Sequence, residues 1–212
     1  MDNINFKRQK EIFDPLIFQK SVTIAGLGNI GSQTAVALTR LGLKDFYLYD
    51  HDIVEEHNLS SQSFFIDQLK KPKVEMIKEI LRNINKNISV LALREKYNGD
   101  TSFGDILIVA VDSMKERKRI WKNLYKRNIR PELIIDGRMG GPQLEIYTCK
   151  TLEEWEDTFV DNPSNDPCGG LYFISVSMTI GAFIANQIRK YLTSKPFPKK
   201  IIFSLDSYQI FT

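Results

Sequence analysis

The stretch that decides the fold is Ser21 to Gly31, "SVTIAGLGNIG". A β-branched, apolar run breaks off into Gly26, Gly28 and Gly31, spaced G-x-G-x-x-G. The apolar pattern then takes a helical period from about Ser32 to Leu41, and Gly42 is placed to end the helix. Strand, tight turn and helix in that order bring the first N–H groups of the helix, and the positive end of its dipole, beside a backbone bare of side chains. Such a turn is a seat for a phosphate, and by itself it points to a nucleotide without saying which one.

Working outward, apolar strand-like segments alternate with amphipathic ones. After the first helix come "DFYLYD" (strand), "KVEMIKEILRNIN" (helix), "ISVLAL" and "DILIVAVD" (strands), "KERKRIWKNLYKRN" (helix), then "ELIIDG" and "QLEIYTC" (strands). This order predicts a doubly wound α/β fold on a mostly parallel sheet. Asp50 ends the second strand at the spacing from the glycine turn where an acid bonds ribose hydroxyls. Before the core, Asn5 to Gln19 reads as an N-terminal helical arm with a break near Pro15. After it, "KTLEEWEDTFVDNPSNDPCGG" reads as a long crossing loop, Tyr172 to Leu192 as a buried helix, and "KIIFSLDSYQIF" as one or two closing strands. The expected organisation is one domain over 1–212: an arm (1–20), a nucleotide-binding core (21–148), a crossing loop (149–170) and a C-terminal helix with strands (171–212).

At 212 residues, 42% hydrophobic and 26% charged, the chain suits one globular α/β domain. A net charge of +3 singles out no partner. The densest basic run, Met114 to Arg127, reads as a solvated helix face, so no nucleic acid is expected. No apolar run approaches a membrane span and "MDNINFKRQK" holds no signal-peptide core, which predicts a cytoplasmic protein with no membrane partner. The two cysteines, Cys149 and Cys168, form no Cys-x-x-Cys pair, so neither a Cys-rich zinc site nor a disulfide framework is expected.

Further motifs narrow the ligand. "DHDIVEEHNLSSQ", "KPKVE" and "AVDSMKER" follow successive strands of one glycine-turn domain. In that order they resemble the ThiF/MoeB/HesA family and the adenylation domain of ubiquitin-activating enzymes, over Phe6 to about Thr193. The resemblance implies ATP-dependent adenylation of the C-terminal carboxylate of a ubiquitin-like or sulfur-carrier protein, with ATP and magnesium bound. It places the ribose on Asp50 with Asp52 beside it, the phosphates near Asn58 and Gln62, and a cation near the α-phosphate on Lys73. It puts magnesium on Asp112. The Arg-Gln pair of the family falls on Arg8 and Gln9, which implies a homodimer with Arg8 donated in trans. Cys168 is the thiol it nominates for a covalent link to the activated partner, whereas Cys149, at a strand end, reads as packed and inert.

The chain also departs from the family pattern. Asn-Leu-x-Arg-Gln is Asn58-Leu59-Ser60-Ser61-Gln62 here, so Ser61 stands where an arginine contacts the triphosphate, and Arg138 is the expected replacement. Asn29 replaces a glycine in the middle of the turn, Ser113 replaces an asparagine after Asp112, and Arg117 keeps its usual spacing. Two other readings fit part of the pattern. An NAD(P)-dependent oxidoreductase explains the glycine turn and Asp50, and a catalytically silent scaffold subunit explains Ser61 and Ser113.

Overall fold

The computed structural model describes residues 4–18, 20–100, 104–159 and 173–212. Five strands run parallel: β1 (Ser21–Ala25), β2 (Asp45–Tyr49), β3 (Ser89–Leu93), β4 (Ile106–Val109) and β5 (Leu133–Gly140). β6 (Gln143–Cys149), β7 (Lys200–Ser204) and β8 (Gln209–Phe211) extend the same sheet antiparallel, in the order β3-β2-β1-β4-β5-β6-β7-β8. The chain leaves β1 toward β2 on one side and reaches β4 on the other. That reversal opens a crevice at the carboxyl ends of β1 and β4, where open α/β sheets take their ligands.

Helices cover both faces, so the central strands are apolar on both sides and β4 is wholly buried. Ile24, Ile106, Ile108, Leu133 and Ile135 face one layer. Against them pack α1 (Asn29–Leu41), α2 (Lys73–Ile84) and α5 (Ile174–Leu192). Ala25, Leu107, Val109 and Ile134 face α3 (Met114–Lys126) and α4 (Leu152–Glu156). On α5, Gly181 brings the helix close enough that a Cβ there would lie 3.0 Å from the backbone carbon of Gln33 on α1.

Two expectations change. The described part of the arm forms hydrogen-bonded turns rather than a helix, closed by Gln9 N to Phe6 O (3.0 Å) and Phe13 N to Gln9 O (2.8 Å). Its anchors are tertiary: Phe13 is buried, and Gln9 Nε2 donates to Leu41 O at 2.6 Å. The stretch expected to be a structureless crossing loop begins with α4. Thr151 caps it by accepting from Glu154 N at 3.1 Å, and Trp155 is fully buried. No helix among the described residues is long and apolar enough to cross a membrane.

Candidate functional site

The glycine turn is built as its spacing predicts, and its three glycines do different work. Gly26 has φ +92°, and a Cβ on it would lie 2.7 Å from Ala110 O; one on Gly31 would lie 1.9 Å from Gly26 O. These two glycines let β1, β4 and α1 close on one another. At Gly28 a Cβ would meet only Gln62 Nε2, at 3.9 Å, so internal packing gives no reason for glycine there. Gly28 is the N-cap of α1, which carries no side-chain cap and no acid in its first turn. The positive end of α1 is therefore bare.

This end opens into a cavity of about 270 Å³. Gly26, Gly28 and Asn29 line it from the turn, Asp50 and Asp52 from the end of β2, Asn58 and Gln62 from the segment that follows, Lys73 from the start of α2, and Asp112 from the end of β4. Asp50 is buried and ties the turn together: Oδ2 accepts from Leu27 N at 2.7 Å and Oδ1 from Asp52 N at 2.8 Å. A carboxylate takes about four hydrogen bonds, so it keeps room for ligand hydroxyls. Lys73, only 6% exposed, pairs with Asp52 at 3.4 Å. Asn58 is held by its own turn, with Oδ1 accepting from Glu55 N at 2.9 Å. Ser113 caps α3 by accepting from Glu116 N at 3.4 Å, which leaves the exposed Asp112 beside the cavity without that duty. Ligand atoms of Asp50, His51 and Asp52 lie within 4.8 Å of one another, so a cation could be held on this rim as well as at Asp112.

Other expected residues lie elsewhere. Arg8 is exposed on the arm and does not line the cavity. Cys168 lies outside the described residues. Arg138, expected among the phosphates, is 1% exposed and turned into the layer beneath α4. Its Nε and Nη2 donate to Asp136 Oδ2 at 3.1 and 2.7 Å, its Nη1 to Thr158 O at 2.9 Å, and its guanidinium lies 4.4 Å from the centre of the Tyr147 ring. A cation so engaged is not a replacement for the arginine missing at Ser61. Arg117, within the run read as a solvated face, is fully buried too, donating from Nε to Asp136 Oδ1 at 2.8 Å and from Nη2 to Gly137 O at 3.0 Å. Trp155 Nε1 adds a bond to Asp136 Oδ2 at 3.0 Å. Burial drives the Asp136 carboxyl up, but the guanidinium groups of Arg117 and Arg138 outweigh it and hold the group below the usual carboxylate range. Cys149 is packed as expected, its thiol pushed up to about 12 by burial and then by Asp136.

Sequence reasoning overlooked two features. Lys96, just beyond β3, also lines the cavity. The signal available was position, since each segment leaving the carboxyl end of a parallel strand reaches the crevice. The other is a contact between two of the departures: Ser61 Oγ donates to Asn29 Oδ1 at 2.8 Å.

The ThiF family model matches residues 3–135. Ubiquitin-like modifier-activating enzyme 5 of Aedes aegypti is 41% identical over 75 residues, 35% of this chain and 19% of that protein. Sulfur carrier protein ThiS adenylyltransferase of Escherichia coli K12 is 27% identical over 155 residues, 70% of this chain and 59% of that one. Among solved structures, E. coli MccB with ATP superposes with a TM-score of 0.73 at 21% identity, covering 91% of this chain and 62% of MccB, a likeness of fold. The chain thus spans less than two thirds of each of these proteins. A family match over more than half of the chain, on the doubly wound fold built around this glycine turn, makes the chain a member of the ThiF family.

Proposed function

We propose that the chain uses Mg-ATP to adenylate the C-terminal carboxylate of a ubiquitin-like or sulfur-carrier protein. The observation that carries this reading is the glycine at position 28, which packing does not require and which leaves the bare end of α1 open to the cavity. A carboxylate oxygen attacks the α-phosphorus, the new acyl–oxygen–phosphorus bond forms, and the bond to the β-phosphate oxygen breaks to release pyrophosphate. The first N–H groups of α1 seat phosphate oxygens, Asp50 accepts from ribose hydroxyls, and Lys73 offsets the charge that spreads over the phosphate oxygens during attack. Asp112 would hold magnesium, which binds oxygen ligands through one or two protein carboxylates and supplies further charge neutralisation when bound.

The reading extends to a homodimer. Arg8 is exposed and outside its own chain's cavity, which supports a role for it in the site of a second copy. Cys168 is the proposed acceptor if the acyl group moves on to a thiol. The names of the adenylyltransferase and the activating enzyme among the relatives support the substrate class.

The test is exchange of labelled pyrophosphate into ATP, with candidate carrier proteins from the same genome and a mass readout for a bond to Cys168. Carrier-dependent exchange is expected. No exchange with any carrier would favour the scaffold reading, and NADH binding with no ATP binding would favour an oxidoreductase.

A further inference from the structure

We propose that Asn29 and Ser61 form a neutral phosphate clamp, in which Ser61 orients the Asn29 amide so that its NH2 group donates to a phosphate oxygen at the start of α1. The clamp rests on the nucleotide reading above. Asn29 is the first residue of α1 and lines the cavity, whereas Ser61, 6% exposed, stands behind it and does not. The 2.8 Å bond from Ser61 Oγ occupies the acceptor end of the amide. The donor end, Nδ2, bonds no other described residue. An amide with its oxygen engaged by the wall presents two N–H donors beside the bare N–H groups of the helix. Donors converging without an acceptor among them suit an oxygen-rich anion.

Ser61 is well held for this work. Its own N–H donates to Asn58 O at 3.3 Å, and two residues on, Ser63 N donates to Ser32 Oγ on α1 at 3.2 Å. The segment is therefore stitched to the first turns of α1 at two points, and the hydroxyl meets the amide from a fixed backbone. No cation then replaces the arginine expected at position 61. Arg138 does not, and a positioned neutral amide does, with Lys73 left as the buried cation of the cavity. Asn29 contacts the ligand, and Ser61 is a positioning residue.

Equilibrium titration of the full chain with Mg-ATP and, separately, with adenosine tests this, alongside thermal melts without ligand. Ser61→Ala should weaken Mg-ATP binding about fivefold and leave adenosine binding unchanged, because only the phosphate contact is lost. Ser61→Thr should restore it. Asn29→Asp should weaken Mg-ATP binding at least about tenfold by repulsion. The same variant should melt no lower than wild type, since an acid in the first turn of α1 complements the helix dipole. Unchanged Mg-ATP affinity in Asn29→Asp overturns the clamp, as does equal weakening of ATP and adenosine in Ser61→Ala, which would mean a merely structural bond. If the wild-type chain binds neither ligand, the nucleotide reading itself falls and takes the clamp with it, so the two failures are distinct.

Discussion

Replacing Asp136 by asparagine should be among the most damaging single changes in this chain. The two carboxylate oxygens accept four donors: Arg117 Nε on Oδ1, and Arg138 Nε, Arg138 Nη2 and Trp155 Nε1 on Oδ2. Asparagine keeps one oxygen and turns the other into a donor that faces donors, while the two guanidinium groups, buried at 0% and 1% exposure, lose the carboxylate they share. Removing one partner of a buried pair typically costs about 3–5 kcal/mol, a large part of the roughly 5–15 kcal/mol that holds a domain together. At a urea dependence of about 2 kcal/mol per molar, the unfolding midpoint should fall by about 1.5–2.5 M. Fluorescence is a direct assay, because Trp155 is itself a member of the network and only two tryptophans are present. The acid limb should change as well. With a depressed folded-state pKa, the carboxylate contributes stability that is fully present above the unfolded value of about 3.9 and is lost as pH falls through the folded value. The asparagine variant should therefore lose stability less steeply below about pH 4. Joint replacement of Asp136 by leucine and of Arg117 and Arg138 by methionine should recover most of the loss, since no buried charge is then left unpaired. A loss below about 1 kcal/mol for Asp136→Asn, or a triple variant as unstable as the single one, would refute the reasoning.

Gly28→Ala and Gly31→Ala should separate ligand from fold. The first should change stability by less than about 1 kcal/mol yet weaken Mg-ATP binding in titration; the second should cost about 3 kcal/mol or more in urea melts, because its Cβ meets Gly26 O. Lys73→Met should slow pyrophosphate exchange by about 10²–10³-fold while circular dichroism stays native. Cys149, with its thiol pushed up to about 12, should resist maleimide at pH 8 in the native chain and react once urea unfolds it, as peptide mass mapping would record.

The parts legible in the sequence were those set by local pattern. The glycine turn, the strands about it and Asp50 follow from spacing and period, and the structure brings the residues nominated from β2, α2 and the end of β4 to one cavity. What eluded the sequence depends on partners distant along the chain. Arg117 keeps its usual spacing, but among Lys115, Lys118 and Arg119 nothing local marks it as buried; its burial follows from Asp136, 19 positions on, in a strand between α3 and α4. Arg138 was assigned to the right sheet edge but to the wrong depth, since it turns toward Thr158 rather than the crevice. For α4 a signal did exist: Thr151 followed three residues later by Glu154 is a helix-start pattern, and the acidic, proline-rich stretch after it hid it. The arm failed in the other direction: Phe13 docks on the core while Ile12, Leu16 and Ile17 stay exposed, so no continuous apolar helix face is buried.

The contact between α1 and α5 sets an order for synthesis. The end of α1, the helix whose first residue lines the cavity, leaves the ribosome about 130 residues before the start of α5, which packs on it. At roughly 5–20 residues per second, α1 waits about 7 to 27 s without α5, whose Gly181 packs against Gln33 and Thr34. A nascent chain stalled before Ile174 should therefore be sticky and open to chaperones, although it already carries the whole span matched by the family model. The stretch matched by the family model ends well before the helix that must be made for α1 to be covered.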